Sequence, residues 1–201
     1  APGYFDVVNY TGTGSNQNVS HNLTVVPEMM WIKSKDASHS WAVYHSATGN
    51  TGIIYLNSNE AEFSLSGSTV FNNTTPTSSV FTVGTNNVLN QSTKNFIAYL
   101  FATAPGVSKV GSVSHSGSST DVDCGFSSGA KFVMLKRTDA TGYWFFWDTV
   151  RGIASGNDPY LAFNTYNQAE VTNTDYIDPL SSGFQISGDF TDGTYLFLAI
   201  A

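Results

Sequence analysis

The chain is short of charge. Asp, Glu, Lys and Arg together make up 11% of its 201 residues, against roughly a quarter in ordinary soluble domains. Eight basic residues face fifteen acidic ones, giving a net charge of −7 and a pI near 4.8. The longest basic run is Lys136-Arg137. Recognition of a phosphate backbone needs clustered cations, so nucleic acid is not expected as a partner. Cysteine is nearly absent: Cys124 stands alone, which rules out an intrachain disulfide framework and fits folding in a reducing cytosol. No apolar stretch approaches the roughly 20 residues of a membrane helix. The longest, residues 96–104, is interrupted by Thr103 and closed by Pro105-Gly106, so membrane insertion is not expected. The opening Ala1-Pro2-Gly3 has neither an initiating Met nor a signal-peptide pattern. It predicts a trimmed precursor or a segment of a longer polypeptide.

What the chain has instead is aromatic residues, 14% of the total, within a hydrophobic fraction of 41%. That is ample for a packed interior and argues against disorder. Helix formers are few, while Thr, Val, Tyr and Phe favour strands. The chain is also written twice. Val19-Ser20-His21-Asn22-Leu23 aligns with Val122-Asp123-Cys124-Gly125-Phe126, an offset of 103. The same offset carries Trp31-Ile32-Lys33 onto Met134-Leu135-Lys136, Asp36 onto Asp139, Trp41 onto Trp144 and Phe81-Thr82-Val83 onto Phe184-Gln185-Ile186. Near the end the offset falls to 99, and residues 96–102 meet residues 195–201. Ala-Pro-Gly precedes each copy, with Pro and Gly as turn punctuation. These features predict an all-β, antiparallel β-sandwich of jelly-roll-like type. Two homologous β-units, 1–103 and 104–201, stand in tandem or pack as one pseudo-symmetric unit.

Short alternating runs separated by Gly, Asn, Ser and Thr predict the strands. In the first copy these are residues 4–10, 18–23, 28–33, 40–45, 52–56, 81–84 and 95–102. In the second they are 108–113, 121–126, 131–136, 143–148, 160–163, 184–187 and 194–201. Phe132-Val133-Met134-Leu135 and the two terminal runs are apolar on consecutive residues, which suits strands covered on both faces. In Tyr143-Trp144-Phe145-Phe146-Trp147 the expected role is alternating core and cross-strand packing. The sharper alternative is a sugar-stacking platform built from the exposed alternates.

Catalytic chemistry finds little footing. The four histidines are His21, His39, His45 and His115; two of them align with Cys124 and Asp148 in the second copy. No Gly-x-Ser-x-Gly elbow is present, and a hydrolytic triad is not expected. Glu62 and Glu170 fall at similar places in the two copies, which points to structure and not to a glycosidase pair. Asp189, Asp192, Asp175 and Asp178 sit in turn-like segments without calcium-loop spacing, so no metal and no cofactor are expected. Asp148 and Arg151 are expected to order their turn as an ion pair. Asn-x-Ser/Thr triplets at Asn9, Asn18, Asn22, Asn72, Asn73 and Asn90 are expected by chance in so Asn- and Thr-rich a chain. The second copy is longer around Tyr160, Tyr166 and Tyr176, and these three are the candidate binding residues.

Tyr10-Thr11-Gly12-Thr13-Gly14, Ser20-His21-Asn22-Leu23, Pro27-Glu28-Met29-Met30-Trp31-Ile32-Lys33 and Trp41-Ala42-Val43-Tyr44 resemble a repeated domain of bacteriophage virion proteins, tail-fibre-like and other structural proteins of marine-phage type. The second copy resembles it further in residues 132–139, in Trp147-Asp148-Thr149-Val150-Arg151-Gly152, in Asn157-Asp158-Pro159-Tyr160-Leu161 and in Ser182-Gly183-Phe184. Its departure is Ser112-Val113-Ser114-His115-Ser116-Gly117 in place of the Tyr-Thr-Gly pattern. The resemblance spans the whole chain and supplies no catalytic residue. It implies a non-enzymatic virion protein assembled in the host bacterial cytoplasm, as a tail fibre or spike component contributing to host-surface adhesion. It implies other virion proteins as partners, a homo-oligomer with a trimer favoured, and a host-surface glycan or protein as receptor. The alternatives are a capsid decoration protein and a carbohydrate-binding module of sandwich fold.

Overall fold

The computed structural model describes residues 1–64, 69–165 and 170–201. The fold is all-β and antiparallel, and the chain divides into two compact units, Ala1–Thr103 and Ala104–Ala201.

The first unit runs β1 (Phe5–Thr11), β2 (Gln17–Ser20), β3 (Met29–Ser34), β4 (Ala42–His45), β5 (Gly52–Tyr55), β6 (Phe63–Ser64), β7 (Val80–Val83), a one-turn helix α1 (Asn87–Asn90) and β8 (Asn95–Phe101). Among the described residues these strands form a sheet ordered β1-β8-β3-β4-β5-β6 and a pair β2-β7. The alternation of the strands aims Met30, Ile32, Phe96, Ala98 and Leu100 from the large sheet at Val19, Phe81 and Val83 from the small one. The result is a sandwich core.

The second unit runs β9 (Ser108–His115), β10 (Thr120–Asp123), β11 (Phe132–Arg137), β12 (Trp144–Asp148), β13 (Leu161–Ala162), β14 (Ile177–Leu180), β15 (Gly183–Ile186) and β16 (Gly193–Ile200). Its sheets are ordered β13-β12-β11-β16-β9 and β10-β15-β14. Val133, Leu135, Trp147, Tyr195 and Phe197 meet Val122, Ile177, Phe184 and Ile186 in its core.

The two units pair their strands in one register. Phe5 faces Phe101, Met29 faces Phe101 and His45, and Val19 faces Phe81. In the second unit Ser108 faces Ile200, Phe132 faces Ile200 and Asp148, and Val122 faces Phe184. The offsets of 103 and 99 convert one set of pairs into the other. In both units the first strand lies beside the last. β11 and β16 are buried over consecutive residues, Val133 to Lys136 and Tyr195 to Ala199, as expected of strands covered on both faces.

Three elements were not anticipated from the sequence. β6 is only two residues long, and α1 is one turn, capped by the Asn86 side chain, which accepts from the Val88 N–H at 2.9 Å. β14 carries Pro179, which speaks against a strand, but β14 lies at the edge of its sheet, where a missing N–H is tolerated.

Candidate functional site

The densest side-chain constellation lies at one end of the second unit. Strand alternation turns Phe145 and Trp147 into the core, and Phe145 becomes a hub. Its ring meets Tyr143 at 5.9 Å edge-on, Tyr160 at 5.2 Å, Phe190 at 5.5 Å and Tyr176 at 6.2 Å. Tyr176 also packs on Phe190 at 5.0 Å, and Phe190 on Tyr195 at 5.0 Å. Edge-to-face pairs of this kind each add about 0.5–1.5 kcal/mol beyond area burial, so the cluster is stiff. Where it reaches the surface it opens a cleft of ≈ 230 Å³, bordered by Tyr143, Phe145, Tyr176, Phe190 and Tyr195 with Arg137 and Thr191 at the edge. Tyr143 is the most open of these rings, 38% exposed.

Arg137 ends β11, where the backbone leaves the sheet. Its Nε donates to Asp139 Oδ1 at 2.7 Å. The neighbouring guanidinium holds the Asp139 carboxyl below its usual range, with the Thr194 N–H adding to the effect. Gly193 makes room for the pair: a Cβ there would stand 2.7 Å from Arg137 Nε and 3.0 Å from Asp139 Oδ1. Tyr195 donates its hydroxyl to the Thr191 carbonyl at 2.7 Å, tying the loop at the edge to the sheet. Burial pushes the Tyr195 hydroxyl up to about 12, so it remains a donor at physiological pH. The arrangement can bind through aromatic faces and a fixed guanidinium.

The first unit differs at the positions equivalent to the cleft's arginine and two of its rings. Ser34, Ser40 and Ala42 stand where the second unit has Arg137, Tyr143 and Phe145. Asp36, matching Asp139, accepts instead from the Asn95 backbone N–H at 2.7 Å and from Asn95 Nδ2 at 2.9 Å. The scaffold is shared, and the arginine with the rings of Tyr143 and Phe145 belongs to the second copy.

A family model, the domain of unknown function DUF7483, matches residues 2–201. The chain belongs to the DUF7483 family. No curated protein and no solved structure matches it.

Of the three tyrosines singled out in this DUF7483 chain, Tyr176 borders the cleft. Tyr160 stacks beneath it at 5.6 Å and 27° and is only 7% exposed, so it acts by packing. Tyr166 lies outside the described residues. Asp148 and Arg151 form an ion pair. Asp148 Oδ1 also accepts from the Val150 and Arg151 N–H groups at 3.0 and 2.9 Å, and the guanidinium sits 5.4 Å above the Phe146 ring. The pair orders its turn away from the cleft.

The histidines are structural. His21 takes the Leu23 N–H on Nδ1 and donates from Nε2 to the Thr77 carbonyl. His115 bridges Thr120 and the Phe190 carbonyl. His39 bonds Gln91, and His45 Nδ1 accepts from Ala47. Burial pushes the Cys124 thiol up to about 11, far from a reactive thiolate. Glu62 lies over Gly52, its carboxyl raised by burial, while Glu170 is exposed. Among the described residues no three His, Cys, Asp or Glu side chains gather as a metal group.

Sequence reasoning had named neither Arg137, Phe190 nor Tyr195 as part of a site. The signal that could have found Arg137 is the mismatch between copies, Ser34 against Arg137. Asp158 was likewise not named as a site residue. Its buried carboxylate accepts from the Ala154 N–H at 2.9 Å and the Ile177 N–H at 3.1 Å, locking the loop after β12 to the start of β14. Burial pushes its pKa up to about 6, with Asp175 and Asp178 adding to the rise.

Proposed function

We propose that this chain is a non-enzymatic structural protein of a bacteriophage virion, a tail-fibre or spike component that contributes to adhesion at the host surface. The observation that carries the reading is an aromatic, arginine-edged cleft in the second unit, whose arginine and two of whose rings are replaced by Ser34, Ser40 and Ala42 in a unit of the same register. A binding module needs a rigid scaffold and one differentiated end, and an antiparallel sandwich supplies the first. The engagement of all four histidines in structural hydrogen bonds and the raised thiol of Cys124 favour binding over catalysis. The resemblance of both copies to virion structural proteins supports a place on the virion.

Two measurements test the reading together. Particles of the encoding phage are imaged by cryo-electron microscopy with an antibody fragment against the chain. In parallel, the isolated chain is added as a competitor in an adsorption assay. Density at the tail fibre or tip with reduced adsorption is the expected result. Density on the head lattice would overturn it and leave a capsid decoration protein.

A further inference from the structure

We propose that the cleft bordered by Tyr143, Tyr176 and Arg137 binds a single uncharged sugar ring, the terminal residue of a surface glycan. The proposal rests on the adhesion reading and names its ligand class.

Four features of the cleft select this chemistry. Its borders are ring faces and edges, Tyr143 foremost, which offer an apolar surface with a polar tip. The C–H face of a pyranose needs such a surface, because its hydroxyls point outward around the ring. The second feature is the guanidinium. Arg137 is held at Nε by Asp139 at 2.7 Å, which fixes the plane of the fork and leaves its terminal Nη groups to donate to a pair of neighbouring hydroxyls. Asp139 is only partly covered, with 44% of its side chain exposed, and can accept from a hydroxyl in turn.

Third is size. At ≈ 230 Å³ the cleft is smaller than the roughly 300–1,000 Å³ of pockets that take drug-sized ligands, which suits one ring and not an extended chain or a peptide. The fourth feature is charge. The one cation of the cleft is already paired with Asp139 and lies in the field of Asp192, on a chain of net charge −7. A carboxylated sugar would meet uncompensated negative charge there, whereas a neutral ring would not.

The internal comparison adds a stoichiometry. Because Ser34, Ser40 and Ala42 replace the arginine and two of the rings in the first unit, one site per chain is expected. A single ring contributing modest energy per atom gives a dissociation constant on the order of 1–10 mM, strengthened on a particle by multiple copies.

The test is an NMR titration of the full 201-residue chain with methyl glycosides of glucose, galactose, mannose and N-acetylglucosamine, and with glucuronic and N-acetylneuraminic acids. A proline-rich peptide is titrated beside them. At least one neutral glycoside is expected to bind saturably at one site per chain, shifting Tyr143, Tyr176 and Thr191 signals. Arg137→Gln and Tyr143→Ala, each checked for an unchanged fold, are both expected to weaken binding about tenfold. Lys35→Ala in the first unit is expected to leave it unchanged. Saturable binding by none of the neutral glycosides, preferential binding of the acids or the peptide, or undiminished binding in both cleft variants overturns the proposal. If the wild-type chain still competes for adsorption in that event, the ligand class fails and the adhesion reading stands. If it does not compete, both fall.

Discussion

Asn90 shows how much one buried amide can organise. Its side chain is fully inaccessible, and its three polar contacts all go to backbone. Nδ2 donates to the carbonyls of Ser15 and Gly84 at 2.6 Å each, and Oδ1 accepts from the Thr13 N–H at 2.8 Å. One residue therefore joins the turn after β1, the exit of β7 and the single turn of α1. The same amide sits in an Asn-Gln-Ser triplet, and its engagement inside the unit leaves no free nitrogen for a glycan. Removing it in Asn90→Ala orphans one donor and two acceptors, of which water can reach those at the exposed turn. The expected loss is about 2–3 kcal/mol of unfolding free energy, measured by urea titration. A loss under about 0.5 kcal/mol would mean that the turn closes without it.

At the scale of elements, register is the quantity most strongly specified, because a one-residue slip moves every core side chain to the wrong face. Gly183 enforces it for β15. A Cβ at that position would stand 2.0 Å from the Val122 carbonyl oxygen and 2.9 Å from the Cys124 nitrogen, both backbone atoms that cannot swing away. Gly183→Ala is expected to cost at least about 2 kcal/mol and to raise amide exchange along β10 and β15, while exchange in β3 and β8 stays unchanged.

Most strands were legible from the sequence because their alternation and turn residues agree, and the offset of 103 between copies anticipated the shared register residue by residue. The missed elements were illegible for local reasons. β6 has two residues, too few for a period, and α1 draws its stability from the Asn86 cap and Asn90, not from helix propensity. β14 contains a proline that only its edge position excuses. The cleft was half legible: Tyr176 and the Tyr143–Trp147 run drew attention as aromatics. Phe190 and Tyr195 join them through folding that brings residues 137, 145, 176 and 190 to one end, and no local pattern announces that. Tyr160 shows the converse, an aromatic in a longer segment whose ring is used up beneath its neighbour.

For the molecule as a whole, the unusual quantity is the direction in which pH acts on stability. Two carboxyls, Asp36 and Asp139, are held below their usual range, the first by the Asn95 hydrogen bonds and the second by Arg137. Their contribution is present above the unfolded value near about 4 and is lost as pH falls through the lower folded values. Asp158 acts in the opposite sense. Its folded value of about 6 lies above the unfolded one, so the folded chain holds a proton that the unfolded chain has released. Stability therefore declines as pH rises from about 4 through 6 and is flat beyond. Asp175 and Glu62, both raised by burial, push the same way. Self-repulsion is also least near the pI of 4.8, so the effects coincide. Maximum stability is expected near pH 4.5–5 (about the pI), below the range of roughly 5–8 common to soluble proteins. Urea midpoints measured in steps of about one pH unit should rise from about pH 3 to this maximum and fall again by about pH 7. In Asp158→Asn the fall above the maximum should flatten while the acid limb stays in place, since Asp36 and Asp139 are untouched. An unchanged upper limb in that variant would mean that Asp158 is ionised throughout in the folded chain, with its two backbone N–H partners outweighing burial.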